Sequence, residues 1–178
     1  MRILRTFLPM FLTVSNPQKM TELKSSMTPL LPKILKKSDC SRGLDVNCWT
    51  GDSTVKLQSQ FPDICIFGID KNQSAIKLAK TRFHSSVFKV SDIEKENFPG
   101  KFELIQISNY TNLDKVLWNT YPLLSDNGFM IVNYKESDVP YMKELYDKNF
   151  WFPPQERNGY VLSNMYLFEN ENKAIILK

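Results

Sequence analysis

Three aspartates lie at or just after the ends of apolar, strand-like runs in this 178-residue chain. Asp45 belongs to the run GLDV, Asp70 ends the run ICIFGID, and Asp92 follows the run SVFKV by two residues. In an open parallel sheet, ligands bind beyond the carboxyl ends of the strands, where the strand order reverses. Carboxylates there can accept hydrogen bonds from a ligand. The alternative for each aspartate is a turn or a helix cap.

The elements that would position these aspartates alternate along the chain from Gly43 onward. Apolar, β-branched runs predict buried parallel strands, and apolar residues at helical spacing predict helices between them. The predicted strands cover residues 43–46, 64–70, 86–90, 102–108 and 128–134, and the predicted helices cover residues 52–61, 72–83, 114–124 and 138–150. Asp52 or Ser53 is expected to cap the first of these helices.

The chain is predicted to close with a hairpin of two strands, residues 160–169 and 174–178, around the polar turn NENK. Five strands alternating with helices, followed by this hairpin, predict an α/β fold in three layers. The sheet is expected to have seven strands, mostly parallel, with the hairpin antiparallel. Residues 43–178 are predicted to form this domain, and residues 1–42 to form an N-terminal basic and apolar helical segment.

The strand ends resemble those of class I S-adenosylmethionine-dependent methyltransferases, a Rossmann-like family. The likeness rests on LDVNCWTGD (44–52), the acid Asp70, SDIE (91–94) and LLSDNGFMIV (123–132), and it covers residues 43–178. The family's first loop usually reads acid-x-Gly-x-Gly-x-Gly. Here only the last glycine, Gly51, is present, and Asn47 and Trp49 stand at the other two positions. Asn enters left-handed backbone more easily than other non-glycine residues, whereas an indole is a severe departure.

The resemblance implies roles for several residues. Asp45 would orient the loop and the methionyl ammonium, Asp70 would accept hydrogen bonds from the ribose hydroxyls, and Asp92 would contact the adenine amino group. Ile93 would pack on the adenine ring. The expected residues of a site for the cofactor, S-adenosylmethionine, are Asp45, Asn47, Trp49, Gly51, Asp70, Asp92, Ile93 and Ser108.

The catalytic end carries a weaker signal. Ser108 is the last residue of the fourth predicted strand, and Asn109 and Tyr110, which follow it, are the candidates for contact with the reacting groups. Methyl transfer needs mainly alignment, so few protein groups are obligatory. His84, the one histidine, is expected on the surface, and without a CxxC pair no metal site is predicted.

Three functions remain open from the sequence. The first is a methyltransferase that acts on a small-molecule acceptor. The alternative is a catalytically degenerate methyltransferase fold that serves as a binding or regulatory module, with Trp49 filling the cofactor site. The third is a nucleic-acid protein that uses its basic N-terminus and stacking aromatic residues.

Charge is unevenly distributed along the chain. Residues 1–42 hold eight Lys or Arg against two acids, a net charge of +6, whereas the whole chain carries +4, so the remainder is net −2. Nucleic-acid binding by the body is therefore not expected. The apolar start, residues 1–14, is too short to span a bilayer. A cytoplasmic location is expected, with organelle targeting through residues 1–14 as the alternative, and the oligomeric state is left open.

Overall fold

The computed structural model describes residues 41–96, 98–148, 150–151, 160–161, 164–168 and 171–178. The predicted N-terminal segment lies outside the described residues except for its last two positions. Its helical character, its boundary and the targeting role considered for residues 1–14 therefore stay predictions.

The sheet is built around one central strand, β1 (Arg42–Val46). Four of its five residues are buried, and it pairs in parallel with β2 (Cys65–Asp70) on one side and β4 (Phe102–Ile107) on the other. A strand covered on both faces is an apolar run without alternation. This is the pattern of GLDV and ICIFGID, and both strand predictions are confirmed.

Helices alternate with the strands as expected. The helices are α1 (Asp52–Gln60), α2 (Gln73–Arg82), α3 (Leu113–Thr120) and α4 (Val139–Lys148). The other strands are β3 (Val87–Val90), β5 (Leu124–Asn133), β6 (Phe150–Trp151), β7 (Tyr160–Val161), β8 (Asn164–Phe168) and β9 (Lys173–Leu177). Short 3-10 turns, Tyr121–Leu123 and Glu136–Asp138, precede β5 and α4.

The main sheet has the strand order β3-β2-β1-β4-β5-β9-β8. Strands β1 to β5 are parallel, β9 runs antiparallel to β5, and β8 runs antiparallel to β9. The chain steps outward from β1 to β3 and then returns to the other side of β1. The order therefore reverses between β1 and β4, where a ligand site is expected. The prediction of a seven-stranded, mostly parallel Rossmann-like sheet with a C-terminal hairpin is confirmed.

Two local predictions are wrong. The sequence predicts one strand over residues 160–169, but the structure has β7 and β8 there, and β7 pairs with the unpredicted β6 in a separate two-stranded sheet. An apolar run shows that a strand is buried without showing which strand is its partner.

The start of α1 also differs from expectation. Gly51, with φ 87°, occupies the N-cap position, and no side chain caps the helix. The two predicted caps have other partners: the Asp52 carboxylate binds Arg82, and the Ser53 hydroxyl donates to Asp45. By contrast α2 is capped by Asn72, which accepts from the Ala75 N–H.

Candidate functional site

The loop that follows β1 (residues 47–51, called the β1 loop) is fastened to the end of β2. The Cys48 N–H donates to the Ile69 carbonyl at 3.0 Å, which continues the ladder between the two strands. The backbone N–H of Trp49 donates to Oδ2 of Asp70 at 2.9 Å. The loop is therefore held against the strand end that carries the second predicted aspartate.

The backbone of the β1 loop has a left-handed conformation at three alternate positions. Asn47 has φ 59°, Trp49 has φ 52° and Gly51 has φ 87°. These are the three positions at which the resemblance expects glycine. Glycine adopts this conformation freely and Asn tolerates it, whereas a bulky residue is held there at a cost of about 1–3 kcal/mol. The loop thus keeps the glycine-type backbone although two of the glycines are replaced.

Asp45 lies beneath the β1 loop and supports the start of α1. Its Oδ2 accepts from the hydroxyls of Ser53 at 2.6 Å and Thr54 at 2.7 Å, and its Oδ1 accepts from Gln106 at 3.2 Å. The residue is completely buried, and burial raises the pKa of its carboxyl. Burial, with the charge of Asp45, also raises the pKa of Cys48 to about 12, so this thiol stays protonated. Asp45 therefore positions the loop, and it exposes no surface to a ligand.

Asp70 forms part of a cleft at the carboxyl ends of β1, β2 and β4. Its Oδ2 accepts from the Trp49 N–H and its Oδ1 from the Asn72 N–H at 2.8 Å, so each oxygen keeps acceptor capacity for a ligand. The cleft has a volume of about 660 Å³, within the range of small-molecule sites. It is lined by Asn47, Trp49, Asp70, Lys71, Asn72 and Asn109.

Trp49 forms a wall of this cleft. The residue is 54% exposed, so the indole is not inserted into the core. The left-handed backbone at Trp49 lets the N–H reach Asp70 while the side chain stays at the surface. The sequence-based alternative, in which the indole fills the site, requires a buried Trp49, and the structure does not support it.

Gly51 lies away from the cleft and is required by packing. A Cβ atom at this position would lie 2.7 Å from Cζ of Phe88 and 3.0 Å from Cδ2 of Phe83. Any side chain would separate the start of α1 from the rings of Phe83, at the end of α2, and Phe88, in β3. Gly51 therefore packs against these rings and does not line the cleft.

The other predicted cofactor residues lie outside the cleft lining. Asp92 accepts from the Glu94 N–H and pairs with Lys95, both at 3.2 Å, as in a capped turn. Ile93 is completely buried in the core. Ser108, half-buried, donates its N–H to the Val46 carbonyl at 3.4 Å. The ligand roles predicted for these three residues stay predictions.

The two catalytic candidates differ sharply. Asn109 is exposed, has φ 52° and lines the cleft. Tyr110 is 4% exposed; its hydroxyl donates to Asp138 at 2.6 Å and accepts from the Lys135 N–H at 2.9 Å. Burial and the Asp138 bond raise the pKa of Tyr110 well above its usual range, so the phenol stays protonated. Tyr110 therefore ties the loop after β4 to the loop after β5.

The sequence did not point to two residues of the cleft lining, Lys71 and Asn72. Lys71 follows Asp70 and lines the cleft, and its Nζ lies 3.2 Å from the Thr111 hydroxyl. The Thr111 N–H donates to Glu94 at 2.7 Å, so the ends of β2, β3 and β4 are connected. Position alone could have suggested Lys71, because it directly follows the strand that ends in Asp70.

A second, smaller cavity lies beside the start of α3. Its volume is about 270 Å³, and it is lined by Thr111, Asn112, Leu113, Asp114, Asp138 and Tyr141. The Tyr141 hydroxyl donates to Asp114 at 2.6 Å. This cavity lies on the β4 and β5 side of the sheet, whereas Asp70 lies on the β2 side.

Within the described part of the chain, no helix is both long and apolar enough to span a bilayer. Over the same residues, no group of three or more His, Cys, Asp or Glu side chains is arranged to hold a metal ion. His84 is exposed, as expected.

Comparison with known proteins identifies the class of protein that this fold and cleft define. A family model described as a methyltransferase domain matches residues 37–169, which is most of the chain. The chain therefore belongs to this family of methyltransferase domains. The family expected from the loop after β1 and from the strand ends is confirmed.

Particular relatives agree with this assignment. The malonyl-[acyl-carrier protein] O-methyltransferase of Bacillus cereus is 31% identical over 124 residues, which are 66% of this chain and 45% of that protein. The chain spans about half or less of the length of the curated relatives that it matches.

Solved structures show the same fold. A TehB-like SAM-dependent methyltransferase from Corynebacterium glutamicum has a TM-score of 0.58 at 15% identity, covering 90% of this chain and 93% of that chain. The plantazolicin methyltransferase BpumL, solved with SAH, has a TM-score of 0.52 at 19% identity, covering 73% of this chain and 52% of that chain.

Proposed function

We propose that this chain is an S-adenosylmethionine-dependent methyltransferase that acts on a small-molecule acceptor. The observation that carries the proposal is the β1 loop. The three positions at which the family usually has glycine keep a left-handed backbone conformation in this loop. At the middle position, the backbone N–H of Trp49 donates to Asp70. A chain that had abandoned the cofactor would have no reason to hold a tryptophan in a conformation unfavourable for its side chain.

The cleft has the chemistry that the cofactor requires. Asp70 is 5% exposed, and each of its carboxylate oxygens accepts one backbone N–H and retains a further acceptor site. A pair of adjacent ribose hydroxyls matches these sites, as at the equivalent strand end of other nucleotide folds. Trp49 and Asn72 fix the carboxylate orientation before a ligand arrives, which lowers the ordering cost of binding.

The division of labour among the residues follows from their positions. The bound cofactor supplies a methyl group on a sulfonium, which is electrophilic without further activation by the protein. Asp70 would orient the ribose of the cofactor, and the β1 loop would hold the methionyl portion that extends from the ribose. Asn109, exposed at the end of β4, would face the acceptor, and Tyr110 would hold the loop that carries Asn109 through its bond to Asp138. Alignment is then the main catalytic contribution of this chain.

The proposal of a small acceptor rests on the size of the second cavity. At about 270 Å³ it is near the lower end of small-molecule sites, and it lies on the side of the sheet toward which the cleft extends from Asp70. The relatives named as malonyl-[acyl-carrier protein] O-methyltransferases act, by their name, on a small acyl group that a carrier protein bears, which supports a small reacting group. The cytoplasmic location and the absence of a nucleic-acid partner remain expectations from composition.

Calorimetric titration of the full chain with S-adenosylmethionine tests the cofactor, and release of S-adenosylhomocysteine with small carboxylic-acid, amine and phenol acceptors tests the acceptor class. We expect saturable heat with S-adenosylmethionine and product with one of the acceptor classes. Absence of heat at millimolar ligand contradicts the function. Binding without turnover on any small acceptor, with turnover on RNA or protein, contradicts the acceptor class.

A further inference from the structure

The Asn47 side chain has a buried donor that the folded chain leaves unused. The residue is 8% exposed, and its Nδ2 atom is buried without a hydrogen-bond partner among the described residues. Asn47 also lines the cleft beside Asp70. Buried polar side-chain atoms in proteins nearly always have a partner, so an orphan calls for a physical explanation.

Among the described residues, no hydrogen bond accounts for an asparagine rather than a glycine at this position. Its φ of 59° is a conformation that glycine adopts freely, and its unpaired amide costs free energy that glycine would not incur. Three other asparagines have positive φ: Asn109 and Asn127 are exposed and Asn172 is half-buried, and none of the three has a side-chain atom that is buried without a partner. Of these asparagines, therefore, Asn47 is the one that combines a left-handed backbone with an orphaned amide. A donor of this kind gains most from a ligand that accepts its hydrogen bond.

The strand order shows which part of a ligand would meet Asn47. Strand β1 lies between β2 and β4, so Asn47 at the end of β1 lies between Asp70 and Asn109 along the cleft. A cofactor whose ribose binds Asp70 and whose reacting end lies toward Asn109 must pass Asn47. Beyond the ribose, S-adenosylmethionine has a sulfonium and an ammonium, which accept no hydrogen bond, and one carboxylate, which does.

We propose that the Asn47 side-chain amide donates a hydrogen bond to the methionyl carboxylate of S-adenosylmethionine. This inference rests on the proposed function and adds to it a residue that selects for the carboxylate. Asn47 thereby supplies from its side chain a contact that the resemblance would not predict from a glycine. Lys71, a cation in the same cleft lining, favours an anionic group there as well.

The test uses Asn47→Gly, which keeps the backbone conformation and removes the amide. Asn127→Gly is the matched control, because Asn127 also has positive φ, 68°, but is exposed and lies outside the cleft lining. Each full-length variant is titrated calorimetrically with S-adenosylmethionine and with decarboxylated S-adenosylmethionine. The second ligand keeps the adenosine, the sulfonium and the ammonium and lacks only the carboxylate. Thermal unfolding without ligand is the second readout.

We expect Asn47→Gly to weaken binding of S-adenosylmethionine about tenfold and to leave binding of the decarboxylated ligand within about twofold. The unfolding midpoint of the free variant should rise, because an orphaned donor and an unfavourable φ are both removed. Asn127→Gly should leave both affinities unchanged. Asn47→Asp should weaken S-adenosylmethionine further than Asn47→Gly, because a second carboxylate would then face the first.

Three results would overturn the inference. Asn47→Gly could bind S-adenosylmethionine as tightly as the wild type, it could lose affinity equally for both ligands, or its free form could unfold at a lower temperature. Failure of the proposed function is distinguishable from all three, because the wild type itself would then show no heat with either ligand.

Discussion

The two sides of the carboxyl edge of the sheet differ in how their polar groups are used. On the β2 side, Asp70 keeps acceptor capacity, and Asn47 holds a buried donor without a partner. On the β4 and β5 side, the Tyr110 hydroxyl both donates to Asp138 and accepts from Lys135. Asp70 and Asn47 therefore have hydrogen-bonding capacity that a ligand could use, whereas the Tyr110 hydroxyl is satisfied by the chain itself.

This difference separates residues that bind from residues that hold the frame. A buried polar group with remaining capacity costs stability unless a ligand satisfies it, whereas an internally paired group stabilises whether or not a ligand is present. Substitutions on the β2 side should therefore act mainly on affinity. Substitutions at Tyr110 and Asp138 should act mainly on stability, and through it on the position of Asn109.

The largest effect is expected for Asp70→Asn. The change removes the charge and one acceptor oxygen, so two charge-assisted hydrogen bonds to the ribose are weakened, and affinity for S-adenosylmethionine should fall roughly 100-fold. Titration calorimetry measures the loss. Asp126→Asn is the control, because Asp126 is 94% exposed near the amino end of β5. An unchanged affinity in Asp70→Asn would mean that the carboxylate serves only to hold the β1 loop.

Tyr110→Phe should have the next largest effect, and this effect should be on the free energy of unfolding. Removing the hydroxyl leaves the half-buried Asp138 carboxylate and the Lys135 N–H without this partner, which should cost about 1–2 kcal/mol of unfolding free energy. Affinity for S-adenosylmethionine should stay within about twofold. Urea unfolding and calorimetry measure the two quantities. Unchanged stability with a large loss of turnover would instead make Tyr110 a catalytic residue and remove the contrast between the two sides.

Much of this contrast could not be predicted from sequence, although the frame could. The strands around Asp45 and Asp70 are predictable because a strand buried on both faces is a continuous apolar run. The left-handed backbone at Asn47 and Trp49 is predictable once the family's glycine positions are known. Both predictions depend only on residues that are close together in the sequence, either within one strand or within one loop.

The partners of the polar side chains are set by tertiary packing. Tyr110 binds Asp138, 28 residues later, and Gln106 binds Asp45, 61 residues earlier. No local pattern encodes such pairs. For the same reason Asp45 is predicted as a ligand residue but is buried under α1, and Gly51 is predicted at the cofactor but faces Phe88.

Trp49→Gly tests whether the β2 side needs its indole. Removing a bulky side chain from left-handed backbone should stabilise the free protein by about 1 kcal/mol, after allowance for the greater flexibility of glycine in the unfolded chain. Affinity for S-adenosylmethionine should fall by no more than about threefold, because the N–H that binds Asp70 is kept. Thermal unfolding and calorimetry measure the two effects. A gain in affinity of tenfold or so would show that the indole obstructs the cleft.

The smallest effect is expected for Asp52→Asn, on the β2 side but outside the cleft. The exposed Asp52 carboxylate binds Arg82 at 2.6 Å, and this hydrogen bond lowers the pKa of Asp52 to about 2. A lowered pKa stabilises the fold at pH values above the ordinary Asp value, and the stabilisation is lost as the pH falls toward 2. In urea unfolding, the stability difference between wild type and variant should therefore stay constant from neutral pH to about pH 4 and shrink as the pH falls from there toward 2. It should also shrink in high salt. Cofactor affinity should not change, because both Asp52 and Arg82 already have partners within the chain. A loss of affinity here would show that binding on the β2 side depends on overall charge, which would contradict the argument from unsatisfied groups at Asn47 and Asp70.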